Sequence, residues 1–137
     1  MPKYEGVVFP LYTEMIKKGV KDGKDVFAKF SRRDVASGMD LYLYGSGDNG
    51  AKKIIAKAEV KASDSLKPNE VWEKYNERLF QHKEDFDDYT SNRRNKEMLV
   101  LELENLQLLD EPIEIPTGKN MTVAGLYVDE KMKKKLL

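Results

Sequence analysis

Apolar residues in this chain come in short, interrupted runs, and their spacing switches between two and three or four residues. Tyr4-Glu5-Gly6-Val7-Val8-Phe9 reads as a first strand. Pro10 suits the first position of a helix, with Leu11, Tyr12, Met15 and Ile16 on one face and Gly19 as its stop. After the loop 21–25, Val26-Phe27-Ala28-Lys29-Phe30 is rich in strand formers, and Ser31-Arg32-Arg33-Asp34 breaks the run with a positive loop. Leu41-Tyr42-Leu43-Tyr44 predicts an aromatic strand, and the turn 45–50, containing Asn49-Gly50, predicts a hairpin. The partner strand spans Ile54 to Ala62, with Ile54, Ala56, Ala58 and Val60 on one face and Lys57, Glu59 and Lys61 on the other.

Lys67-Pro68-Asn69-Glu70 opens a helix, with proline in its first turn and Glu70 near its positive end. Val71, Trp72, Tyr75 and Leu79 form its expected buried stripe. A second short helix starts near Lys83, with Phe86 and Tyr89 three apart and Glu84, Asp85, Asp87 and Asp88 on a solvated outer face. Met98 to Leu103 is the strongest strand, Ile113 and Ile115 suggest another, and 123–128 suggests a last one. Asp129 then caps a short basic helix. Regular βαβ alternation is missing, which argues against a doubly wound sheet. The expected fold is α+β: a closed or nearly closed, small, mixed or antiparallel β-barrel with peripheral helices, one domain over residues 1–137.

Composition changes this picture in three places. The absence of cysteine excludes disulfides and thiolate metal sites. No signal-peptide run opens the chain, and no apolar run approaches the roughly 20 residues of a membrane span, so a cytoplasmic location is expected. Net charge is zero, with 24 basic and 24 acidic residues, which argues against a strong sequence-blind nucleic-acid binder. The charges are unevenly spread: residues 1–62 hold 12 basic and 8 acidic side chains, residues 63–114 hold 7 and 14. One basic face is compatible with that distribution.

Several motifs recur together in order: Gly6-Val7-Val8-Phe9-Pro10; Gly23-Lys24-Asp25-Val26-Phe27-Ala28-Lys29; the Gly38 strand; and the Tyr44-Gly45-Ser46 turn. Arg78-Leu79-Phe80, the Arg93-Arg94 pair before Met98 to Leu103, and Ala124-Gly125-Leu126-Tyr127 complete the set. This ordered series, covering nearly the whole chain, resembles an archaeal family known as domain of unknown function 365. That family is grouped with the PUA-like barrels, alongside the ASCH and EVE domains. The resemblance implies a barrel that binds RNA or a modified base in a cleft between the barrel and its first helices.

The candidate chemistry is basic and aromatic. Lys29, Ser31, Arg32 and Arg33 follow a predicted strand, and Arg93, Arg94 and Lys96 precede one. Arginine forks match phosphate oxygens, and strand ends can converge on one cleft. The same residues also suit solvated loops paired with Asp34 or Glu5. Tyr44, Tyr127 and Tyr42 could stack unpaired bases or serve as core, while Ser46 lies in the glycine-rich turn. The expected partner is therefore RNA or a modified nucleotide, bound through Lys29, Ser31, Arg32, Arg33, Tyr44, Ser46, Arg93, Arg94 and Tyr127, with no cofactor, metal or membrane involved.

A second reading is enzymatic. Some ASCH domains are similar to small amidohydrolases that act on acylated nucleosides with a lysine, a threonine and a glutamate. Lys29 with Thr122 and Glu102 or Glu59 could imitate that set, provided burial lowers the lysine pKa. A third is a protein-interaction module resting on the acidic middle segment. His82, the one histidine, has no nearby nucleophile to form a triad.

Overall fold

The computed structural model of the chain describes residues 4–47, 52–115 and 125–136. Strand β1 (Gly6–Tyr12) leads into helix α1 (Thr13–Lys21), then β2 (Val26–Lys29), β3 (Asp40–Ser46) and β4 (Ile54–Leu66). Helices α2 (Pro68–Tyr75) and α3 (Lys83–Thr90) follow, then β5 (Met98–Ile113), β6 (Leu126–Val128) and α4 (Glu130–Lys135). The strands form one sheet in the order β2-β5-β4-β3-β1-β6, in which β1 and β3 run parallel and every other pair is antiparallel.

The sheet curls strongly. β1 and β2 stand four positions apart in the sheet, about 19 Å if it were flat. Yet the rings of Phe9 and Phe27 stack at 5.6 Å, so the sheet bends into a half-barrel that brings these strands face to face. Val7, Phe9, Leu41, Leu43, Ala58 and Leu101 fill the concave interior, and Ile16 of α1 packs into the same cluster. Alternate residues point outward, as the pleat requires. Val26, Ala28, Met98 and Val100 meet α2 and α3 on one flank. Val8, Tyr42 and Ile54 meet Met132 and Leu136 of the C-terminal segment on the other.

The α+β class, the peripheral helices and the barrel-like curl agree with the sequence reading; several local expectations do not. Pro10 lies inside β1, not at a helix start, opposite Tyr44. β6 covers only Gly6 to Val8 on the other side of β1, so among the described residues proline has no strand partner on that side, an edge position that tolerates its missing N–H. Gly19 is interior to α1, where Phe80 leaves no room for a side chain, and the helix ends at Asp22 with Gly23 at φ 73°. A register shift after Ile54 turns that residue to the outer face, away from Ala56 and Ala58. The separate strand proposed around Ile113 is the end of the 16-residue β5, kept continuous by bulges that absorb its Asn105 at φ 56°. Trp72 is half-buried, packed on Phe86 at 5.5 Å, and Leu79 reaches the core from beyond a 3-10 turn at Asn76–Arg78. Asn49-Gly50 lies outside the described residues, but β3 and β4 pair antiparallel as expected. Asp129 caps α4 through Oδ1, which accepts from the Met132 N–H at 2.7 Å. No helix among the described residues is long and apolar enough to cross a membrane.

Candidate nucleic-acid interface

The sheet does not close by a ladder. Among the described residues β2 and β6 exchange no strand hydrogen bonds, and the loop after β2 bridges the seam with side chains. Arg33 Nη2 donates to the Gly125 carbonyl at 2.7 Å, and its guanidinium lies 4.7 Å from the Tyr127 ring centroid. The Asp34 N–H donates to the Tyr127 hydroxyl at 2.6 Å, and the Arg33 N–H donates to Ser31 Oγ at 3.1 Å. Tyr4 stacks on Tyr127 at 4.1 Å and 11°. Tyr4 and Arg33 cannot share one face of the ring, so Tyr127 is sandwiched. Gly125 is required here: its φ is 78°, and a Cβ would collide with the Val8 carbonyl and the Phe9 ring.

A second guanidinium arrives from the segment after α3. Arg93 Nη2 donates to the Tyr89 carbonyl, and its guanidinium lies 4.3 Å from the Phe30 centroid and 4.7 Å from that of Tyr89. The Phe30 N–H donates to the Tyr89 hydroxyl at 3.0 Å, which fixes the two rings against each other. Two cation–π seats therefore hold Arg33 and Arg93 in place.

Between them lies a cleft of about 830 Å³, lined by Lys29, Ser31, Arg32, Arg33, Arg93 and Tyr127. Lys96 also lines it, and Glu97, which accepts from Ser65 Oγ at 3.0 Å, is its one carboxylate among the described residues. Arg32 is exposed and has no partner among the described residues. Lys29 ends β2 and finds no carboxylate within ion-pair distance among the described residues. Burial, and then the neighbouring Arg93 charge, push its ammonium below the ordinary lysine pKa.

A second cleft, about 670 Å³, shares Lys29 and Tyr89 with the first. Its walls are apolar, from Leu11, Tyr12, Phe27 and Tyr44, with Ser46, Gln81, Asp85 and Asp88 among its polar groups. Tyr44 and Ser46 thus stand in this cleft, which meets the first at Lys29 and Tyr89.

Other predicted site residues lie elsewhere. Arg94 turns outward to Asp87 at 3.3 Å and does not line either cleft. Glu102 sits opposite Val26, at the far end of β2 from Lys29, and accepts from Arg78 at 3.3 Å and the Tyr75 hydroxyl at 3.4 Å. Glu59 is exposed on β4, and Thr122 falls outside the described residues. Glu5 pairs with Lys133 at 3.6 Å, not with the arginine loop. Tyr42 belongs to the core beneath α4, where burial and Asp40 push its hydroxyl up to about 12. Sequence reasoning missed Phe30 and Tyr89 as the seat of Arg93, although Tyr89 and Arg93 are four residues apart. It also missed Tyr12, which it placed on a helix.

Three solved structures share this architecture. Crystal structures of ASCH from Zymomonas mobilis superpose with TM-scores of 0.84 and 0.82 for a serine-to-alanine and a tyrosine-to-phenylalanine mutant, and 0.81 for the protein without a stated mutation. Identities are 20%, 18% and 19%; 99%, 96% and 96% of this chain is covered, and 96%, 96% and 93% of theirs. The fold is therefore ASCH-like, within the PUA-like class. No curated protein matches the chain. The profile of the domain of unknown function DUF365 matches residues 4–130, nearly the whole length, and the chain belongs to that family.

Proposed function

We propose that this domain binds single-stranded RNA or a modified nucleotide in the cytoplasm, with the phosphates in the basic cleft and a base in the apolar one. The observation that carries this is convergence: Lys29, Arg32, Arg33, Arg93 and Lys96, scattered over 68 positions of sequence, line one cleft that shares Lys29 and Tyr89 with an adjoining aromatic one. Pre-seated arginines suit phosphate oxygens, and open tyrosine faces suit unpaired bases. Overall neutrality keeps generic affinity modest.

The test is a titration of labelled single-stranded RNA by fluorescence anisotropy across salt concentrations. Three or four phosphate contacts give a log–log slope of about −2 to −3. Arg32→Ala with Lys96→Ala, both exposed side chains, is expected to weaken binding and flatten the slope by roughly one unit or slightly more. No binding at low salt, or an unchanged slope in the double variant, would reject the site.

One observation favours a second reading, a hydrolase acting on acylated nucleosides. Lys29 is desolvated and its pKa is lowered, as a lysine base requires. Turnover of such nucleosides that Lys29→Arg abolishes would support it, because a guanidinium stays protonated.

A further inference from the structure

The apolar cleft has an acidic lip of two carboxylates, whereas the basic half has Glu97, which already accepts from Ser65 Oγ. Asp85 and Asp88 are three apart on α3 and so share one side of the helix. Both line the apolar cleft, both are exposed, and neither carboxylate is paired among the described residues. Asp87, on a different side of the same helix, is consumed by Lys83 at 3.2 Å and Arg94 at 3.3 Å. The carboxylates of α3 are therefore not one uniform solvated face.

Across the same cleft stands Tyr12. It is 64% exposed, the most exposed of the large apolar residues in the described structure. It ends β1, pairing with Ser46 in the sheet, so its backbone is fixed while its ring stays open to solvent. A rigid, open aromatic face beside an apolar wall is a stacking platform.

We infer that the apolar cleft is a base-reading pocket in which Tyr12 stacks the base, while Asp85 and Asp88 select bases carrying an exocyclic amino group. This rests on the nucleotide-binding reading above. A phosphate entering this cleft would meet two unpaired carboxylates, whereas next door it meets the Lys29, Arg32, Arg33 and Arg93 cations. The nucleotide is thereby oriented, base toward α3 and phosphate toward the seam, with Lys29 between. An ionised carboxylate only accepts hydrogen bonds, so it favours the amino edge of adenine or cytosine over the carbonyl-rich edge of uracil. Sequence reading placed Tyr12 on a helix and Asp85 and Asp88 in solvent, which is why this pocket was not visible from the motifs.

The experiment compares oligo-adenylate, oligo-cytidylate and oligo-uridylate hexamers by isothermal titration calorimetry. The wild type is expected to bind the first two at least about fivefold more tightly than oligo-uridylate. Asp85→Asn with Asp88→Asn is expected to collapse that ratio toward one while retaining binding, since asparagine both donates and accepts. Tyr12→Ala is expected to weaken all three by roughly fivefold or more. All three residues are exposed, and unchanged melting temperatures will verify folding. If the hexamers bind equally, or the preference survives the double asparagine variant, or Tyr12→Ala binds as the wild type does, this inference fails while the RNA reading stands. If no hexamer binds, both fail.

Discussion

Lys29 is held where burial and a neighbouring arginine act in the same direction on its charge. In the unfolded chain it titrates at the ordinary lysine value, and in the fold it titrates below that. Below the folded value both states are protonated, and the fold bears the whole cost of the desolvated ammonium. Between the two values the unfolded chain holds the extra proton, so stability rises with pH. Lys29→Met is accordingly expected to raise the urea midpoint near neutral pH, with the gap to wild type closing as pH approaches about 10.5. A gap that does not change with pH would show that the variant acts through packing alone. The basic residues themselves were legible in the sequence, because arginine pairs flanking strands stand out. Their fates were not: Arg93 is seated between two rings, whereas its neighbour Arg94 points to Asp87. That split depends on where α3 meets β2, which no local pattern encodes.

Helical stripes were read correctly as to period and imperfectly as to depth. Val71 and Tyr75 are buried as their spacing predicts, but Trp72 lies at the stripe's margin, half-buried against the Phe86 ring, with Lys83 Nζ 5.2 Å from its own ring. Phe86 is the fully buried partner. Phe86→Ala is therefore expected to cost about 3–5 kcal/mol and Trp72→Ala roughly half as much, by chemical denaturation. Equal losses would place the indole deeper than its exposure indicates. Strand limits went wrong where tertiary context overrides local signals. Pro10 reads as a helix start until β1 takes it in opposite Tyr44, with no second strand beside it among the described residues. The weak stretch between Leu103 and Ile113 reads as a break until β4, with its own register shifts, pairs along it.

At the scale of the molecule, the sheet leaves a seam that side chains close. Arg33 reaches from the β2 loop to Gly125, and Asp34 reaches Tyr127 beside β6. Arg33→Ala is expected to leave the core intact and to speed amide hydrogen exchange in β6 and β1 at Gly6 to Val8, where those strands pair. Uniform acceleration across β4 and β5 as well would mean that the loss is global, not local to the seam. The barrel-like class could be read from the hairpin and the non-alternating order. That it stops as a half-barrel could not, because closure depends on how far a six-stranded sheet bends.

An unclosed sheet keeps two borders, and each border is a template on which another chain can add a strand. Here the bordering strands β2 and β6 are only four and three residues long, while the long strands lie inside. β5 runs on past β2 after Glu102, and that stretch, which has no strand on this side among the described residues, carries Glu104, Asp110, Glu111 and Pro112, with Asn105 kinking the backbone. Charge repels a second strand, proline withholds the hydrogen bond it would need, and the kink spoils the flatness it would require. The half-barrel thus has open borders whose short strands, charges and proline disfavour the addition of another strand.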